Sequence, residues 1–307
     1  MRAAQQGGRI RVALHGDGQL ARGLRAQLEG VEILGPAAHD PELLRSGAEL
    51  VVIATTTRLA DVAADIELAV ESGSNVIVSA EEAAFPWNVD ERIARRVDAL
   101  ARERGVTVLG GGLNPGLLFD ALVLTLLGAH GMPRAIRVTR VVDVSRFGPA
   151  VRARLGLGVT ARQFEAGWAR GEILGHAGFA QSMRVVGDAI GLPVERIEGE
   201  FEPILGPDGR TVGFRQLYTG STAGRAWFEA EFLGHTDLAS AGLAPRDVIR
   251  IDDGVSLRTT TIEPGVPSQE GSVAMIANSI DRVLAAPPGW LTVAELPPAR
   301  PRAGLIR

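Results

Sequence analysis

Cysteine and lysine are both absent from the 307 residues of this chain. Without cysteine the chain has no disulfide, no thiolate nucleophile and no cysteine-ligated metal. Without lysine it has neither a Schiff-base catalyst nor the lysine-bearing phosphate loop of many nucleotide hydrolases. All 32 basic side chains are therefore arginine.

Histidine and net positive charge are also scarce. The five histidines are scattered without a pair at metal-ligand spacing, so we predict no metal site. A net charge of −4 argues against a nucleic-acid or anionic membrane partner. No apolar run reaches the roughly 18 residues of a membrane span, and residues 1–8 lack the apolar core of a signal peptide. The composition thus predicts a cytoplasmic globular protein.

A nucleotide-binding fingerprint stands near the start of the chain. A strand-like run, Arg9 to His15, leads directly into Gly16-Asp17-Gly18-Gln19-Leu20-Ala21, after which apolar residues repeat at helical spacing. In this G-x-G-x-x-A pattern the glycines allow a tight turn and a close approach to pyrophosphate, and the helix N-terminus supplies amide donors. We predict that Gly16, Asp17, Gly18, Gln19 and Leu20 bind a dinucleotide; the alternative is an ordinary strand-to-helix turn.

The acidic residue that normally selects NAD is missing. In dinucleotide-binding folds an Asp or Glu follows the second strand and binds the ribose 2′-hydroxyl. The predicted second strand, Val31 to Leu34, is followed instead by Pro36-Ala37-Ala38. An adenosine 2′-phosphate is then not repelled, so the sequence predicts NADP as the cofactor, with NAD as the alternative. His39 and Arg45 are candidate partners of that phosphate.

Apolar strands and helices alternate through the first part of the chain. Leu50 to Ile53 forms an apolar strand that ends in Ala54, Thr55 and Thr56, and Asn75 to Ser79 repeats the design one helix later. This alternation predicts an α/β fold, a doubly wound parallel Rossmann sheet. Since ligands bind at the carboxyl ends of such strands, we assign Ala54, Thr55 and Thr56 to the cofactor site.

Two adjacent carboxylates follow the strand Asn75 to Ser79. Glu81 and Glu82 stand there, ahead of Phe85-Pro86-Trp87. Their place at a carboxyl edge predicts a catalytic role. Neighbouring positions of a strand point to opposite sides, so only one faces a ligand, and the sequence does not say which. The alternative is that both merely begin the next helix, where negative charge is favourable.

A glycine-rich loop follows the next predicted strand, Val106 to Leu109. It reads Gly110-Gly111-Gly112-Leu113-Asn114-Pro115-Gly116. Glycines bring the backbone close to a ligand, and Asn114 offers both amide donors and an acceptor, so we predict that Asn114 binds cofactor and substrate. A flexible loop is the alternative.

The pattern changes from Arg134 onward to the polar and apolar alternation of antiparallel strands. Beyond Gly271 it is helical again, which is typical of a tail that returns to the first domain. We therefore predict a dinucleotide-binding domain at residues 1–130, completed by residues 271–307, and a second α+β domain at residues 131–270.

Five motifs follow one another along most of the chain: Ala80–Trp87, Gly112–Gly116, Asp143–Pro149, Gly175–Phe179 and Ala286–Trp290. In this order and combination they resemble the 2,4-diaminopentanoate dehydrogenases and the related native amine dehydrogenases, distant relatives of dihydrodipicolinate reductase. The paired-histidine run and catalytic lysine of dihydrodipicolinate reductase are absent, which disfavours that activity. Relative to the family, the region between Leu34 and Asp40, which normally surrounds the adenosine, is shortened.

The resemblance implies NAD(P)-dependent interconversion of a primary amine with a ketone or aldehyde plus ammonia. It implies a carboxylate from Glu81 or Glu82 at the reacting centre and a homodimer built through the sheet of the second domain. We also predict substrate contacts from Phe147, His176 and Asn114. His176 sits between glycines, where the backbone can approach a ligand, and a structural histidine is the alternative. A fixed negative charge suits this chemistry because it stabilises the cationic iminium to which hydride adds. Two alternatives stay open: an oxidoreductase acting on another small amino acid or semialdehyde, and a non-catalytic nucleotide-binding protein.

Overall fold

The computed structural model describes residues 9–301, which form two compact units. One unit takes the chain up to Ala121 and again from Ser268 onward, and the other comprises Leu122–Pro267. The boundaries proposed from the sequence, after residues 130 and 270, lie nine and three residues beyond these.

Strands and helices alternate in the first part of the chain, and strands predominate later. The chain begins with β1 (Ile10–His15), α1 (Gln19–Gln27), β2 (Val31–Ala37), α2 (Pro41–Leu44), β3 (Leu50–Ile53), α3 (Leu59–Glu71), β4 (Asn75–Val78), α4 (Glu91–Arg104) and β5 (Thr107–Gly110). It continues with α5 (Ala121–Leu127), β6 (Ala135–Asp143), α6 (Pro149–Arg154), α7 (Ala161–Ala169), α8 (Phe179–Ala189), β7 (Arg196–Leu205), β8 (Thr211–Thr222), β9 (Arg225–His235), β10 (Arg246–Asp252) and β11 (Leu257–Ile262). It ends with α9 (Ser268–Ala277), α10 (Ile280–Leu284) and β12 (Gly289–Leu291).

The first unit is built on a parallel sheet with the strand order β12-β5-β4-β3-β1-β2. The chain moves outward from β1 to β2 and then crosses to β3, so the order reverses between β1 and β3. Strands β3 and β5 are buried at every position, because helices cover the sheet. The predicted doubly wound parallel Rossmann sheet is confirmed.

Each end of α4 lies where local chemistry dictates. The carboxylate of Asp90 caps the N-terminus of α4 by accepting from the backbone N–H of Ile93. Gly105 ends the same helix with φ of 68°, the left-handed conformation that glycine adopts without strain. The apolar face of this helix, which includes the buried residues Ile93 and Val97, packs on the sheet.

The second unit is a mixed sheet with the order β11-β10-β6-β9-β8-β7. Strands β6 and β9 pair in parallel, and the other pairs are antiparallel. The sheet contributes the buried side chains of Phe214, Phe228, Phe232 and Ile249 to the core of this unit. This sheet, with the helices α6 to α8, confirms the predicted second α+β domain.

Candidate active site

The turn between β1 and α1 lies where the strand order of the first sheet reverses. Gly16 follows β1 with φ of 132°, and its N–H donates to the carbonyl oxygen of Ala37 at 2.8 Å. A Cβ at Gly16 would lie 2.4 Å from the carbonyl oxygen of Ala54, which follows β3. Only glycine fits this approach. The crevice outside the carboxyl ends of β1 and β3 is where doubly wound sheets bind ligands.

The N-terminus of α1 is open to an anion. Its N-cap residue, Gly18, places no side chain over the first amides, and the first turn carries no acidic residue. A Cβ at Gly18 would meet nothing within 4 Å. Asp17 and Gln19 are exposed beside it, and Leu20 is half-buried. These amide donors and the positive end of the helix dipole fit the pyrophosphate of a dinucleotide.

The first carboxylate after β2 is that of Asp40, and it binds backbone amides of the next helix. The strand ends at Ala37, and Asp40 Oδ1 accepts from the amides of Glu42 and Leu43 at 3.0 and 3.4 Å, which caps α2. Arg45, one candidate phosphate partner, pairs with Glu42 at 3.1 Å. The first carboxylate after β2 therefore caps the helix that follows it.

The end of β3 adds hydroxyl groups to the same edge. The N–H of Ala54 donates to the carbonyl oxygen of His15 at 2.8 Å, which joins the ends of β3 and β1. Thr55 is exposed, and the hydroxyl of Thr56 lies 3.4 Å from Asp61 Oδ2 in the first turn of α3. The three predicted residues of this segment thus follow β3 at the carboxyl edge.

Glu81 and Glu82 open a short 3-10 helix, Glu81–Ala84, instead of continuing β4. The assumption of strand geometry for the pair is wrong, because successive side chains of a 3-10 helix lie about 120° apart. The Oε2 atom of Glu82 accepts a 2.7 Å hydrogen bond from the backbone N–H of Leu59, the first residue of α3. Because the N-cap residue of α3 makes no side-chain cap of its own, Glu82 caps that helix.

The loop after β5 is held by hydrogen bonds to its own backbone. The N–H of Gly112 donates to the carbonyl oxygen of Pro115 at 2.7 Å, and that of Gly116 donates to the buried Asp120 carboxylate at 2.8 Å. The Oδ1 atom of Asn114 is shielded from solvent and accepts no hydrogen bond from the part of the chain that the structure describes. A buried acceptor left open on a braced loop fits a ligand that carries N–H groups.

His176 lies in the second unit, where its backbone is held on both sides by Gln216. The His176 N–H donates to Gln216 Oε1 at 2.8 Å, and Gln216 Nε2 donates to the His176 carbonyl oxygen at 3.1 Å. The imidazole ring packs edge-on to Phe179 and Phe232, at ring-centre distances of 4.7 and 5.4 Å. A Cβ at Gly175 would lie 2.6 Å from Gln216 Oε1, which explains the glycine before the histidine.

The electrostatic surroundings keep His176 neutral. Burial lowers the pKa of His176 to about 3, with smaller contributions in the same direction from the guanidinium groups of Arg154 and Arg140. Arg140 is itself buried and pairs with Asp247 at 3.4 Å. A histidine with this pKa is uncharged at neutral pH, so it offers one ring nitrogen as donor and the other as acceptor.

Phe147 follows β6 in a turn of the second unit. Its N–H donates to the carbonyl oxygen of Val144 at 3.2 Å, and its ring is half-buried. An open groove of about 1030 Å³ lies between α6, α7 and the segment that follows, with Arg154 among its lining residues. The carbonyl oxygen of Arg154 accepts from the amides of Leu174 and Gly175, which connects this groove to the segment carrying His176.

The structure thus gathers the predicted residues of the first unit at one edge of the parallel sheet, after β1, β3, β4 and β5. Phe147 and His176 belong to the second unit. Sequence reasoning missed Gln216, which holds His176, and Trp290, whose indole N–H contacts the 3-10 helix that carries the glutamates. Neither contact has a local signal in the sequence, because each residue acts on a partner distant in the chain.

Two classes of feature do not occur among residues 9–301. No group of three or more histidine, aspartate or glutamate side chains in this range is arranged to hold a metal ion. No helix in this range is long and apolar enough to cross a membrane.

Comparison with known proteins identifies the relatives of the chain. Residues 117–307 match the family described as the 2,4-diaminopentanoate dehydrogenase C-terminal domain. The 2,4-diaminopentanoate dehydrogenase of Acetoanaerobium sticklandii is 32% identical over 282 residues, which cover 88% of this chain and 80% of the relative.

Solved structures match over nearly the whole chain. The amine dehydrogenase from Mycobacterium smegmatis superposes with a TM-score of 0.80 at 23% identity, covering 95% of this chain and 97% of that one. GenD2 from gentamicin A biosynthesis, in complex with NAD, superposes with a TM-score of 0.51 at 17% identity, covering 96% and 92%. At these identities the two matches show a shared fold.

Proposed function

Because the chain belongs to the 2,4-diaminopentanoate dehydrogenase family, we propose that it is an NAD(P)-dependent amine dehydrogenase. In the reductive direction a ketone or aldehyde, ammonia, a proton and the reduced cofactor give a primary amine, water and the oxidised cofactor. The names of the Acetoanaerobium and Mycobacterium proteins support an oxidoreductase that acts on amines. The observation that carries the proposal is the pair of glutamates at the carboxyl end of β4, of which Glu82 is committed to capping α3.

The residues of the first unit fit the dinucleotide. Gly16 and Gly18 bring the backbone and the amides of α1 to the pyrophosphate, together with Asp17, Gln19 and Leu20. Ala54, Thr55 and Thr56 lie beside them at the end of β3. Asn114 Oδ1 accepts from an N–H group of the nicotinamide carboxamide or of the substrate. When bound, the cofactor supplies or accepts the hydride at the substrate carbon.

We assign the catalytic role to Glu81. The carboxylate of Glu82 accepts a hydrogen bond from the N-terminus of α3, 23 residues earlier in the chain, so Glu82 stabilises the fold. Glu81 is the neighbouring half-buried carboxylate at the same edge. Its negative charge stabilises the protonated iminium relative to the neutral imine, and hydride adds faster to the cation. The same carboxylate moves protons as ammonia adds and water departs.

The cofactor proposal is NADP over NAD. The carboxylate nearest the end of β2, that of Asp40, already accepts two backbone amides, at 3.0 and 3.4 Å. A carboxylate held in this way is withdrawn from a ribose 2′-hydroxyl, and an adenosine 2′-phosphate meets less repulsion.

The second unit supplies the substrate contacts and the dimer interface. Phe147 offers an apolar ring to the substrate, and neutral His176 offers a hydrogen bond. On one face of the sheet, Glu231 pairs with Arg137 at 2.9 Å and with Arg215 at 2.7 Å. This partly exposed charged face is the surface through which two copies associate. Sedimentation of the purified protein is expected to show a dimer, and a monomer at micromolar concentration contradicts this assignment.

Turnover with ammonia tests the proposed function. Purified protein is mixed with NADPH or NADH, ammonium buffer at pH 9 and a panel of small ketones, aldehydes and keto acids, and nicotinamide absorbance is followed. Oxidation that requires both ammonia and a carbonyl supports the proposal, and Glu81→Gln serves as the matched control with a much lower expected rate. Oxidation that proceeds equally without ammonia favours another oxidoreductase. Cofactor binding without any turnover favours a non-catalytic nucleotide-binding protein.

A further inference from the structure

We propose that Trp290 is a positioning residue for the catalytic carboxylate. Its indole N–H fixes the 3-10 helix Glu81–Ala84 and thereby sets the position of Glu81. The inference rests on the proposed function, because it assigns Trp290 a part in that reaction.

The contact that carries the proposal is a single hydrogen bond. The Nε1 atom of Trp290 lies 3.1 Å from the carbonyl oxygen of Ala83, a residue 207 positions away. Trp290 is 1% exposed and Ala83 is 0% exposed, so water does not compete for this bond. Ala83 stands two residues after Glu81 in a helix of one turn. A constraint on its carbonyl group therefore constrains the backbone of Glu81.

The same short helix is held from two other sides. A Cβ on Gly110, the last residue of β5, would lie 2.1 Å from the carbonyl carbon and oxygen of Ala83, so the strand backbone packs directly against the helix. On the side of α3, Glu82 accepts the amide of Leu59 at 2.7 Å. Trp290, Gly110 and Glu82 together leave the backbone of Glu81 little room to move.

Trp290 is itself anchored, so it can act as a fixed support. Strand β12 pairs in parallel with β5, with Trp290 opposite Val108. The backbone N–H of Trp290 donates to Asp98 Oδ1 at 2.8 Å, and Asp98 also binds Arg102 at 2.9 Å. Burial opposes ionisation of Asp98, but the hydrogen bonds from Arg102 and Trp290 outweigh it and lower the pKa of Asp98. Asp98 is therefore ionised at neutral pH and holds the backbone of Trp290, which carries the indole donor.

The indole N–H can be separated from the bulk of the ring. Trp290→Phe keeps an aromatic ring at this buried position and removes the donor to Ala83, together with part of the ring volume. Trp227 provides the matched control because it is also buried, at 2% exposure, and its Nε1 donates to Thr222 Oγ1 at 2.9 Å in the other unit. Trp227→Phe therefore removes an equivalent hydrogen bond without touching the helix of the glutamates.

The first test is steady-state kinetics of the full-length variants. We expect Trp290→Phe to lower kcat about tenfold, with KM for the carbonyl and Kd for the reduced cofactor within twofold of wild type, because a small displacement of a catalytic group slows the chemical step. Trp227→Phe is expected to keep the wild-type kcat. Equal kcat values for the two variants overturn the proposal. Gly110→Ala, which places a Cβ against the carbonyl group of Ala83, is expected to lower kcat as well and also to destabilise the protein.

A double-mutant cycle separates positioning from general stability. If Trp290 acts through Glu81, Trp290→Phe leaves kcat unchanged in a Glu81→Gln background. A further tenfold loss in that background shows that Trp290 acts independently of the carboxylate and overturns the proposal.

Hydrogen exchange tests the support without any turnover. In mass spectrometry, peptides covering residues 80–88 are expected to exchange faster in Trp290→Phe than in wild type, and at the wild-type rate in Trp227→Phe. An unchanged exchange rate in Trp290→Phe contradicts the proposal that Trp290 fixes this helix. If the wild-type protein turns over no amine or carbonyl, the proposed function fails, and exchange alone decides whether Trp290 fixes the helix.

Discussion

The carboxylate of Glu82 lies 2.7 Å from the backbone nitrogen of Leu59, so the second glutamate of the pair completes a helix formed earlier in the chain. The N-cap residue of α3, Arg58, makes no side-chain cap. An acid near a helix N-terminus satisfies an amide and interacts favourably with the helix dipole. Glu82 thus stabilises the N-terminus of α3.

The two glutamates are expected to give opposite phenotypes when replaced. Glu81→Gln keeps size and hydrogen bonding but removes the charge, so kcat should fall roughly 10²-fold or more while the cofactor still binds. Glu82→Ala removes the cap of α3 and should cost about 1 kcal/mol of unfolding free energy, with kcat changed much less. Steady-state kinetics and urea unfolding of both variants measure this. A severe loss of kcat in Glu82→Ala together with a near-normal kcat in Glu81→Gln reverses the assignment.

Substitution of the two glycines of the fingerprint is expected to have different effects. Gly16→Ala places a Cβ 2.4 Å from the carbonyl oxygen of Ala54 at a φ of 132°, so the protein itself should be destabilised, by roughly 1–3 kcal/mol. Gly18→Ala meets nothing within 4 Å, so its stability should stay close to wild type while its cofactor affinity falls, since the methyl group enters the proposed pyrophosphate space. Thermal unfolding and cofactor titration distinguish the two. Unchanged affinity in Gly18→Ala argues against pyrophosphate at the N-terminus of α1.

Cofactor preference is expected to favour NADPH and to be reversible by one carboxylate. Ala38→Asp places an acid just beyond β2, where it would accept from the ribose 2′-hydroxyl and repel a 2′-phosphate. Fluorescence titration should give a lower Kd for NADPH than for NADH in the wild type, and the opposite order in the variant. Ala38→Asn, which adds similar bulk without the charge, is the control. Tighter NADH binding by the wild type contradicts the proposal.

Acid is expected to destabilise the second unit through His176. Its pKa is about 3 in the folded chain, against about 6.5 for an unperturbed histidine. The unfolded state therefore binds the proton more tightly than the folded state. The contribution of neutral His176 to the free energy of unfolding is fully present above pH 6.5 and is lost as the pH falls toward 3. In urea unfolding between pH 7.5 and 4.5, His176→Gln should show a shallower loss of unfolding free energy than wild type. Identical slopes would show that this histidine is accessible to protons in the folded protein.

The parallel sheet was predictable because its strands carry their own signal. Strands β3 and β5 are short apolar runs bounded by turns. By contrast β7, with Arg196 and three glutamates among its residues, was not predicted, because it becomes a strand by pairing with β8 rather than by burial. Strand β2 was expected to end at Leu34, before Gly35-Pro36, yet it continues to Ala37. Proline is tolerated there because β2 is an edge strand.

The break between α9 and α10 was not predictable from the sequence pattern either. The sequence predicts helix beyond Gly271 without a break, but α9 ends at Ala277 and α10 begins at Ile280. Between them the hydroxyl of Ser279 bonds back to the carbonyl oxygen of Met275 at 2.6 Å. Such competition of a serine with the helix backbone has little signature in apolar periodicity.

At the candidate site, sequence placed the glutamates, the glycines and Asn114 at the carboxyl edge because that edge follows from strand order. It could not separate Glu81 from Glu82. The partners of this segment are distant in sequence: Leu59 lies 23 positions from Glu82, and Trp290 lies 207 positions from Ala83. Such contacts depend on how the elements pack, which spacing along the chain does not encode.

The origin of the first unit from two chain segments has a consequence for biosynthesis. Strand β12 and its tryptophan leave the ribosome after the whole of Leu122–Pro267 has been made. Until then the nascent sheet ends at β5, with an unpaired edge that is open to other chains. A translation product interrupted before Gly289 therefore lacks both its edge strand and the support beneath the glutamates, and it is a target for chaperones and proteases rather than a partial enzyme.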